Sequence, residues 1–446
     1  MSKKALCIML CLIFAVTFLS GCAGDKRDSV KQTETATAAA ADKTAKPADE
    51  AAGKLGVKLE FWMPGQEPTI KSTMEGILTK FKTANPSVAV NYTQVPWNEF
   101  FTKLNVNFAS GSSPDVHGSG YGQFGQLVGD GRFLALDKNS KALDYNDLFD
   151  SAKAAGTYKG ELYGLLLPEV RPLIYRKDMF QEAGLDPAKP PKDWKELQEY
   201  AIKLTKREGD KVVVAGLDMP TSGGIHNFFG MLLQQGGSMW DEDGNPQFDS
   251  AEAIKTLQYL VDLKIKYNTI IPSDMQAATG PVFMNGKAAM SFMQTQALPE
   301  IEKAAPGKLG YVLPPMEKAN NAFLGGTFLT VSKSTKNKDA AVALIEFIYN
   351  KDGMWDIYKG INFLPMRKSL EEKFIQDSPE KNKVFAEALK TAVGYKTNPV
   401  FIEGVNIINK ALEAAYYGKK TPEQALKDAA AEMKAKLQEK KDSQKK

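Results

Sequence analysis

An α/β protein of two lobes is what this sequence predicts, on three observations. Residues 57 to 117 read strand, helix, strand, helix, strand, the order that builds a parallel, doubly wound sheet. About 390 residues follow a polar, low-complexity start, more than a single core usually organises. Strand-like runs then recur far apart among well-signalled helices, so the chain crosses between two bodies more than once.

Val57, Leu59 and Phe61 alternate on one face of the first strand. Ile70, Met74, Ile77, Leu78 and Phe81 recur at helical spacing until Asn85 and Pro86 stop the helix. Val88, Val90 and Tyr92 share one face of a second strand; Phe100, Leu104 and Phe108 stripe a second helix that ends at Gly111; "PDVHG" opens a third strand. In such sheets ligands bind beyond the carboxyl ends of the strands, in the loops leading into the next helices. "MPGQEP" and "GSGYGQFG" are loops of that kind. Further on, Asp193 and Glu196 stand in capping-box spacing around a stripe of Trp194, Leu197, Ala201 and Leu204. Ile254, Leu257, Val261 and Ile265 stripe another helix, and Thr421, Pro422 and Gln424 give a cap, a first-turn proline and a second box. "LIYRK" and "FLTVS" are the strand-like runs between them.

The chain opens with Lys3 and Lys4, an apolar run from Ala5 to Leu19, and then "LSGC". That is the order of a secretory signal, too short to remain as a membrane span, and it ends on a lipobox-like Cys22. Cleavage before Cys22 and acylation of its thiol and new amino terminus are expected, since stable anchoring takes two or more acyl chains. A plain signal peptide beside a coincidental cysteine is the alternative. From Ala23 to Lys54 there is no aromatic residue, Leu or Ile, so this stretch buries too little to offset its chain entropy. It reads as a tether with a reach of about 30 Å. The expected organisation is residues 1–21 signal, 22–54 lipidated tether and 55–168 the first segment of lobe 1. Residues 169–325 are then mainly lobe 2 with a return to lobe 1 near the end, and 326–446 are shared between the lobes.

Composition excludes several chemistries. Cys7 and Cys11 lie in the segment to be removed, so the mature chain has no disulfide, cysteine metal site or cysteine nucleophile. His117 and His226 are the only histidines, in no metal-binding spacing, and His117, late in a strand, reads as a packed residue. No G-x-S-x-G elbow marks a serine hydrolase, and 57 basic against 53 acidic side chains give no argument for nucleic acid. Gly120, Gly122 and Gly125 satisfy G-x-G-x-x-G, but among 36 glycines the spacing alone is weak evidence of a dinucleotide loop.

Six stretches occur in one order: "FASGSSPDV", "YKGELYGLLLPEVRPLIYRKDMFQEAGLDP", "LLQQGGSMWDEDG", "FMNGKAAMSFM", "FLGGTFLTVSK" and "TPEQALKDAA". From Val57 to about Met433 the chain resembles the carbohydrate-binding proteins of ABC importers, in the extracellular solute-binding family that includes maltose-binding protein. The resemblance implies a two-lobe periplasmic-binding-protein fold of the class II type, each lobe a doubly wound sheet flanked by helices, with ligand in the interlobe cleft. It implies no catalytic residue, no cofactor and no metal. The implied partners are a carbohydrate and the ABC permease subunits, with the membrane reached through the lipid at Cys22 and the protein acting as a monomer.

Position by position, the resemblance puts Gln66 and Glu67 where polar residues meet sugar hydroxyls, and Tyr121 and Gln123 on a short sugar-contacting loop. On that reading the glycines around Tyr121 shape a turn and imply no nucleotide. Glu169 matches an acidic contact at the first lobe crossing, and His226 replaces a tyrosine of the second lobe. Tryptophan platforms of maltodextrin binders are replaced by Ser119, Gln296 and Val405, which argues against maltodextrin, because planar aromatic faces cover the apolar faces of hexoses. Trp62 or Tyr121 remains as a platform, while Trp97, Trp194, Trp240 and Trp355 read as structural. Gln296 and Gly325 complete the candidate set, Gly325 and Gly326 allowing a bend in a crossing strand. Arg171, two residues beyond Glu169 on the same strand face, either pairs with an acid near the hinge or, left unpaired, selects an acidic sugar.

Hinges are expected at Glu169–Leu173 and Phe323–Val331, with ligand favouring the closed state. Glu169→Ala is expected to weaken sugar binding without lowering the stability of the empty protein. The rivals are a binding protein for a polyamine, phosphate ester or peptide, and an exported glycosidase using Glu67 and Glu169. A sensor presenting sugar to a membrane kinase would use the same cleft. The lipobox and tether favour the outer face of a Gram-positive membrane over a periplasm.

Overall fold

The computed structural model describes residues 56–241, 243–273, 282–398 and 400–443. The expected signal segment, Cys22 and the tether lie outside the described residues. No helix among the described residues is long and apolar enough to cross a membrane.

The first lobe is built as the alternation predicts. Strands β1 (Val57–Pro64), β2 (Val88–Val95) and β3 (Val116–Ser119) are parallel, with β1 between the other two. They are joined by α1 (Pro68–Ala84) and α2 (Trp97–Ser110), and β3 runs into α3 (Tyr121–Gly129). Leu59, Phe61 and Met63 turn one face of β1 into the core, against Met74, Ile77 and Phe81 of α1. Strand β4 (Gly164–Val170) is buried along its whole length, which its unbroken Leu165, Leu166, Leu167 run reflects: helices cover both faces and no alternation is needed.

The second sheet is formed by β5 (Leu173–Arg176), β6 (Met290–Phe292) and β7 (Leu309–Val312), with β5 central and antiparallel to both neighbours. Ala215 and Asp218 bridge in parallel to Ala288 and Ser291 and extend this sheet beyond β6. Strand β8 (Leu324–Val331) then lies in the first sheet, antiparallel to β3 and β4, giving the order β2-β1-β3-β8-β4. Each sheet is therefore a parallel set interrupted by one antiparallel strand. In both cases that strand is the one that has just arrived from the other lobe.

The first crossing is only Arg171 and Pro172, between the end of β4 and the start of β5. The second lies between Val312 and Leu324, earlier than the sequence suggests, because residues 324–331 form a complete strand buried along most of its length. The second lobe is completed by α4 (Trp194–Leu204), α5 (Ile225–Gln234), α6 (Ala251–Ile265), α7 (Phe401–Tyr416) and α8 (Pro422–Ser443). Its core joins Trp194, Phe228, Trp240, Leu257, Leu412 and Met433.

Both predicted capping boxes close by half. Asp193 accepts the Glu196 N–H at 2.8 Å, but the Glu196 carboxylate accepts the N–H of Lys192, not that of the cap. Thr421 accepts the Gln424 N–H at 3.2 Å, while the Gln424 amide reaches Asp428.

Gly326 is fixed by two constraints at once. Its φ is +136°, and a Cβ there would lie 2.2 Å from the Leu167 carbonyl oxygen. Gly111 has φ +74° with nothing in the way. Gly326→Ala is therefore expected to cost more than the roughly 1–3 kcal/mol of backbone strain alone, and Gly111→Ala no more than that strain. Urea denaturation of the two variants beside the parent protein measures the difference.

Candidate functional site

Three loops line the carboxyl edge of the first sheet. Gly65 donates its N–H to Val95 at 2.9 Å, and the Gln94 side chain reaches the Glu67 carbonyl, so the loops after β1 and β2 are tied together. Gln66 and Glu67 stand exposed there, the Glu67 carboxylate accepting the Gln66 N–H just before α1 begins. The third connection is Gly120 alone, and Tyr121 and Gln123, expected on a loop, stand in the first turn of α3. Tyr121 donates to the Leu324 carbonyl at 2.9 Å and meets Phe328 and Tyr395 edge-on, while Gln123 is buried. Burial, with the Glu169 charge second, holds the Tyr121 phenol far above its usual range.

The glycines here have a steric role. A Cβ on Gly122 would lie 2.8 Å from Ile402, and one on Gly125 would lie 2.6 Å from the Asn398 carbonyl oxygen. Ile402 lies in the first turn of α7, a helix of the second-lobe core, so the G-x-G-x-x-G spacing lets α3 of one lobe lie directly on a segment of the other. Gly394 likewise leaves room for the Tyr121 hydroxyl, 2.3 Å from where its Cβ would stand.

At the first crossing Arg171 Nη2 donates to Glu169 Oε1 at 2.9 Å, both side chains largely buried. Gly325 pairs with Glu169 across β8 and β4, and a Cβ there would lie 2.2 Å from Glu169 Oε1. Only glycine leaves space for the carboxylate. The Arg171 guanidinium lies 5.2 Å over the Phe323 ring, and His226 stacks on Phe323 at 5.2 Å and 20°. His226 Nδ1 stands 2.9 Å from the Tyr395 hydroxyl, and Tyr395 stacks on Phe229 at 4.4 Å. The space left among Arg171, His226, Phe292 and Phe323 is about 10 Å³, room for roughly one water. The interior of this cluster is closed to anything larger.

Glu169, Arg171, His226, Tyr121 and Gly325 are thus gathered in one cluster with Phe323 and Tyr395. Gln66 and Glu67 lie on the neighbouring loop and Gln123 in the first turn of α3. Gln296 sits on the turn after β6, its amide nitrogen buried and without a hydrogen-bond partner among the described residues. Trp62, half-buried, pairs in register with Thr93 and His117 and packs against a core cluster. Ser119 is buried, and Val405 lies on α7 against the second-lobe core. Arg171 is paired, so the condition for selecting an acidic sugar is not met.

Three aromatic residues were not singled out by the sequence reading. Phe323 directly precedes β8 and was marked only as the start of an expected hinge, and Tyr395 sits in a stretch without periodicity. Trp97 had a signal, a large aromatic at the start of a helix just after a strand end, yet it reads from sequence as structural. It is 39% exposed, whereas Trp194 and Trp240 are buried.

Residues 76–384 match the family model described as bacterial extracellular solute-binding protein. This chain belongs to that family. Among relatives of this solute-binding protein, the sn-glycerol-3-phosphate-binding periplasmic protein of Escherichia coli is 27% identical over 284 residues, covering 58% of this chain and 63% of the relative. A solute-binding protein of an ABC transporter from Thermotoga lettingae, solved with α-D-tagatose, superposes with a TM-score of 0.73 at 25% identity, covering 84% of this chain and 98% of that one. A substrate-binding protein of Listeria monocytogenes, solved with cycloalternan, gives 0.76 at 23% identity, covering 86% and 98%. The family and these neighbours are binding proteins, and this chain is a solute-binding protein of an ABC transporter.

The buried histidines make a pH prediction. His117 is enclosed by Phe108, Phe133 and Thr330, and burial lowers it to about 4; burial and then the Arg171 charge lower His226 to about 3. Both folded values lie below the unfolded one near 6.5, so their contribution is present above pH 6.5 and is lost as pH falls toward 4 and 3. Asp218, raised to about 6 by burial, works oppositely, giving stability below its unfolded value that is lost as pH rises through 6. Two histidines outweigh one carboxyl, so urea midpoints should climb between pH 4.5 and 6.5, and His117→Gln should flatten that climb.

Proposed function

We propose that this protein is held at the outer face of the membrane by lipid on Cys22, captures a sugar or oligosaccharide by closing its lobes, and delivers it to an ABC permease. The observation that carries the sugar reading is the chemistry around the crossing. Uncharged hydrogen-bonding groups and aromatic rings converge from both lobes, and the one strong cation among them, Arg171, is already neutralised by Glu169. Polyhydroxyl ligands suit such a surface, where amides and a carboxylate meet hydroxyls and rings meet C–H faces. The sugars bound by structural neighbours point the same way.

A phosphate ester is the second reading, favoured by the glycerol-phosphate-binding relative. It would have to draw Arg171 away from Glu169 and leave a buried carboxylate unpaired. A glycosidase would need two carboxylates facing one bond, whereas Glu169 is engaged at the crossing and Glu67 stands exposed at the start of α1.

Calorimetric titration of the protein lacking residues 1–21 tests the reading. Neutral oligosaccharides, uronic-acid oligosaccharides, glycerol phosphates and polyamines are compared; heat from a neutral saccharide recovered intact supports it, and heat from glycerol phosphate alone refutes it. Glu169→Ala should lower both sugar affinity and, contrary to expectation from sequence, the melting temperature of the empty protein. Removing one partner of a buried pair strands the other charge, at a cost of about 3–5 kcal/mol, somewhat less here because Arg171 keeps its contact with Phe323. For the anchor, Cys22→Ser should abolish labelled palmitate incorporation and release the protein into the medium.

A further inference from the structure

We infer that one ordered water, admitted by the missing side chain of Gly230, completes the hydrogen bonding of the Arg171 guanidinium in the ligand-free protein. The inference does not depend on which solute the cleft takes. It concerns the space between helix α5 and the first crossing.

Three stretches of chain are bonded together at the crossing. The Arg171 N–H donates to the Phe323 carbonyl at 3.3 Å, the Val393 N–H to the Ala322 carbonyl at 3.0 Å, and the Leu324 N–H to the Val393 carbonyl at 3.0 Å. Helix α5 lies beside this ribbon. Its Asn227, Gly230, Met231 and Gln234 stand at the spacing of one helix face. With Arg171 and Phe323 they line the space of about 10 Å³.

Neither backbone conformation nor crowding requires glycine at position 230. The residue lies inside α5 with an ordinary negative φ, and glycine is poorer in a helix interior than every residue except proline. Beyond its own helix, a Cβ at Gly230 would meet only the Phe323 Cβ, at an ordinary 3.7 Å. At Gly325, by contrast, a Cβ would lie 2.2 Å from Glu169 Oε1. What glycine does at 230 is keep the space beside Arg171 from being filled by a methyl group.

The lining suits water. Arg171 Nε is buried with no partner among the described residues, and leaving a charged donor unmatched costs more than leaving a neutral one. Asn227 Nδ2 reaches the Phe292 carbonyl only at 3.4 Å, and the Gln234 amide, held by the Trp194 indole at 2.7 Å, stands on the same helix face. A buried water needs about two to four polar partners and a volume of this order. The Arg171 N–H, the Asn227 amide and the Phe292 carbonyl supply them. An anion is not called for, because Glu169 already balances the guanidinium.

The test compares Gly230→Ala and Gly230→Ser by thermal unfolding of the protein lacking residues 1–21, beside high-resolution diffraction from its ligand-free crystals. Helix propensity alone puts Ala above Ser and Ser above Gly. The expected order has Ser above Ala by about 1–2 °C, because the serine hydroxyl takes the place of the water while the alanine methyl displaces it and strands Arg171 Nε. The parent crystals should show one water at hydrogen-bond distance from that nitrogen. In Arg171→Lys protein, which keeps a cation for Glu169 but has no Nε–H, Ala should regain its lead over Ser. Ala above Ser in the parent background, or a map with no water beside Arg171 Nε, overturns the site. Ser above Ala in both backgrounds overturns the assignment to the guanidinium.

Discussion

The buried pair of Glu169 and Arg171 is the constraint around which the rest is arranged. Burying two charges costs several kcal/mol per ion after relaxation, so the pair persists only where its surroundings supply compensation. Here the bond length is good, the guanidinium is covered by Phe323, and the space for the carboxylate exists because β8 carries glycine opposite it. The pair sits at the two-residue crossing between β4 and β5. Its partners come from both sides of that crossing: Glu169 from a first-lobe strand, and His226 and Tyr395 from the core of the second lobe. A change in the angle between the lobes must therefore rearrange this cluster, and a ligand that completes its open hydrogen bonds acts on that angle. Glu169 Oε2 and Arg171 Nε, both buried and without partners among the described residues, are where such completion is available.

Glycine sets how closely the two lobes approach. Gly122 and Gly125 bring α3 onto the Asn398–Ile402 segment, Gly394 accommodates the Tyr121 hydroxyl, and Gly325 accommodates Glu169. Each lies at a contact of less than 3 Å from where a Cβ would be, so each acts through the atom it lacks. Gly326, beside Gly325 on β8, needs its backbone freedom as well. The nucleotide-like spacing of Gly120, Gly122 and Gly125 is thus explained by packing between helices and loops, with no phosphate to cradle.

Much of the fold was legible because its signals are local. Periodic apolar residues, Asn85 and Pro86, and Gly111 mark the first strand–helix alternation, and each helix found there begins or ends near its signal. The second crossing was displaced because "FLGGTFLTVS" carries both the apolar content of a strand and the glycines of a bend; burial on the first sheet decided for the strand. The capping boxes were half right because a Glu or Gln side chain has other partners within reach once the chain is folded. The Glu169–Arg171 pair could be posed from a spacing of two on a strand but not decided, since two partners on one strand can equally face away from each other's charge. Tyr395 had no signal at all, and Phe323 was marked only as the start of an expected hinge: they meet His226 and Arg171 only through tertiary packing, across separations that periodicity does not read.

What the site lacks narrows its ligand as much as what it contains. A cleft selecting an anion would be expected to leave a cation free to be satisfied by it, since a buried, unpaired charge is the costliest element a site can hold and the ligand repays that cost. Here the protein has already made that payment internally, through Glu169. Beside the open Glu169 Oε2 and Arg171 Nε, the remaining donors and acceptors are amides, phenols and backbone groups, whose individual contributions are small, about 0.5–1.5 kcal/mol each. On the sugar reading proposed above, affinity comes from several such bonds made at once by a ligand rich in hydroxyls, together with an apolar face laid on an aromatic one. The proposed closure of both lobes over such a ligand would bring that many weak contacts together, so the two-lobe architecture suits the uncharged polyhydroxyl ligand proposed.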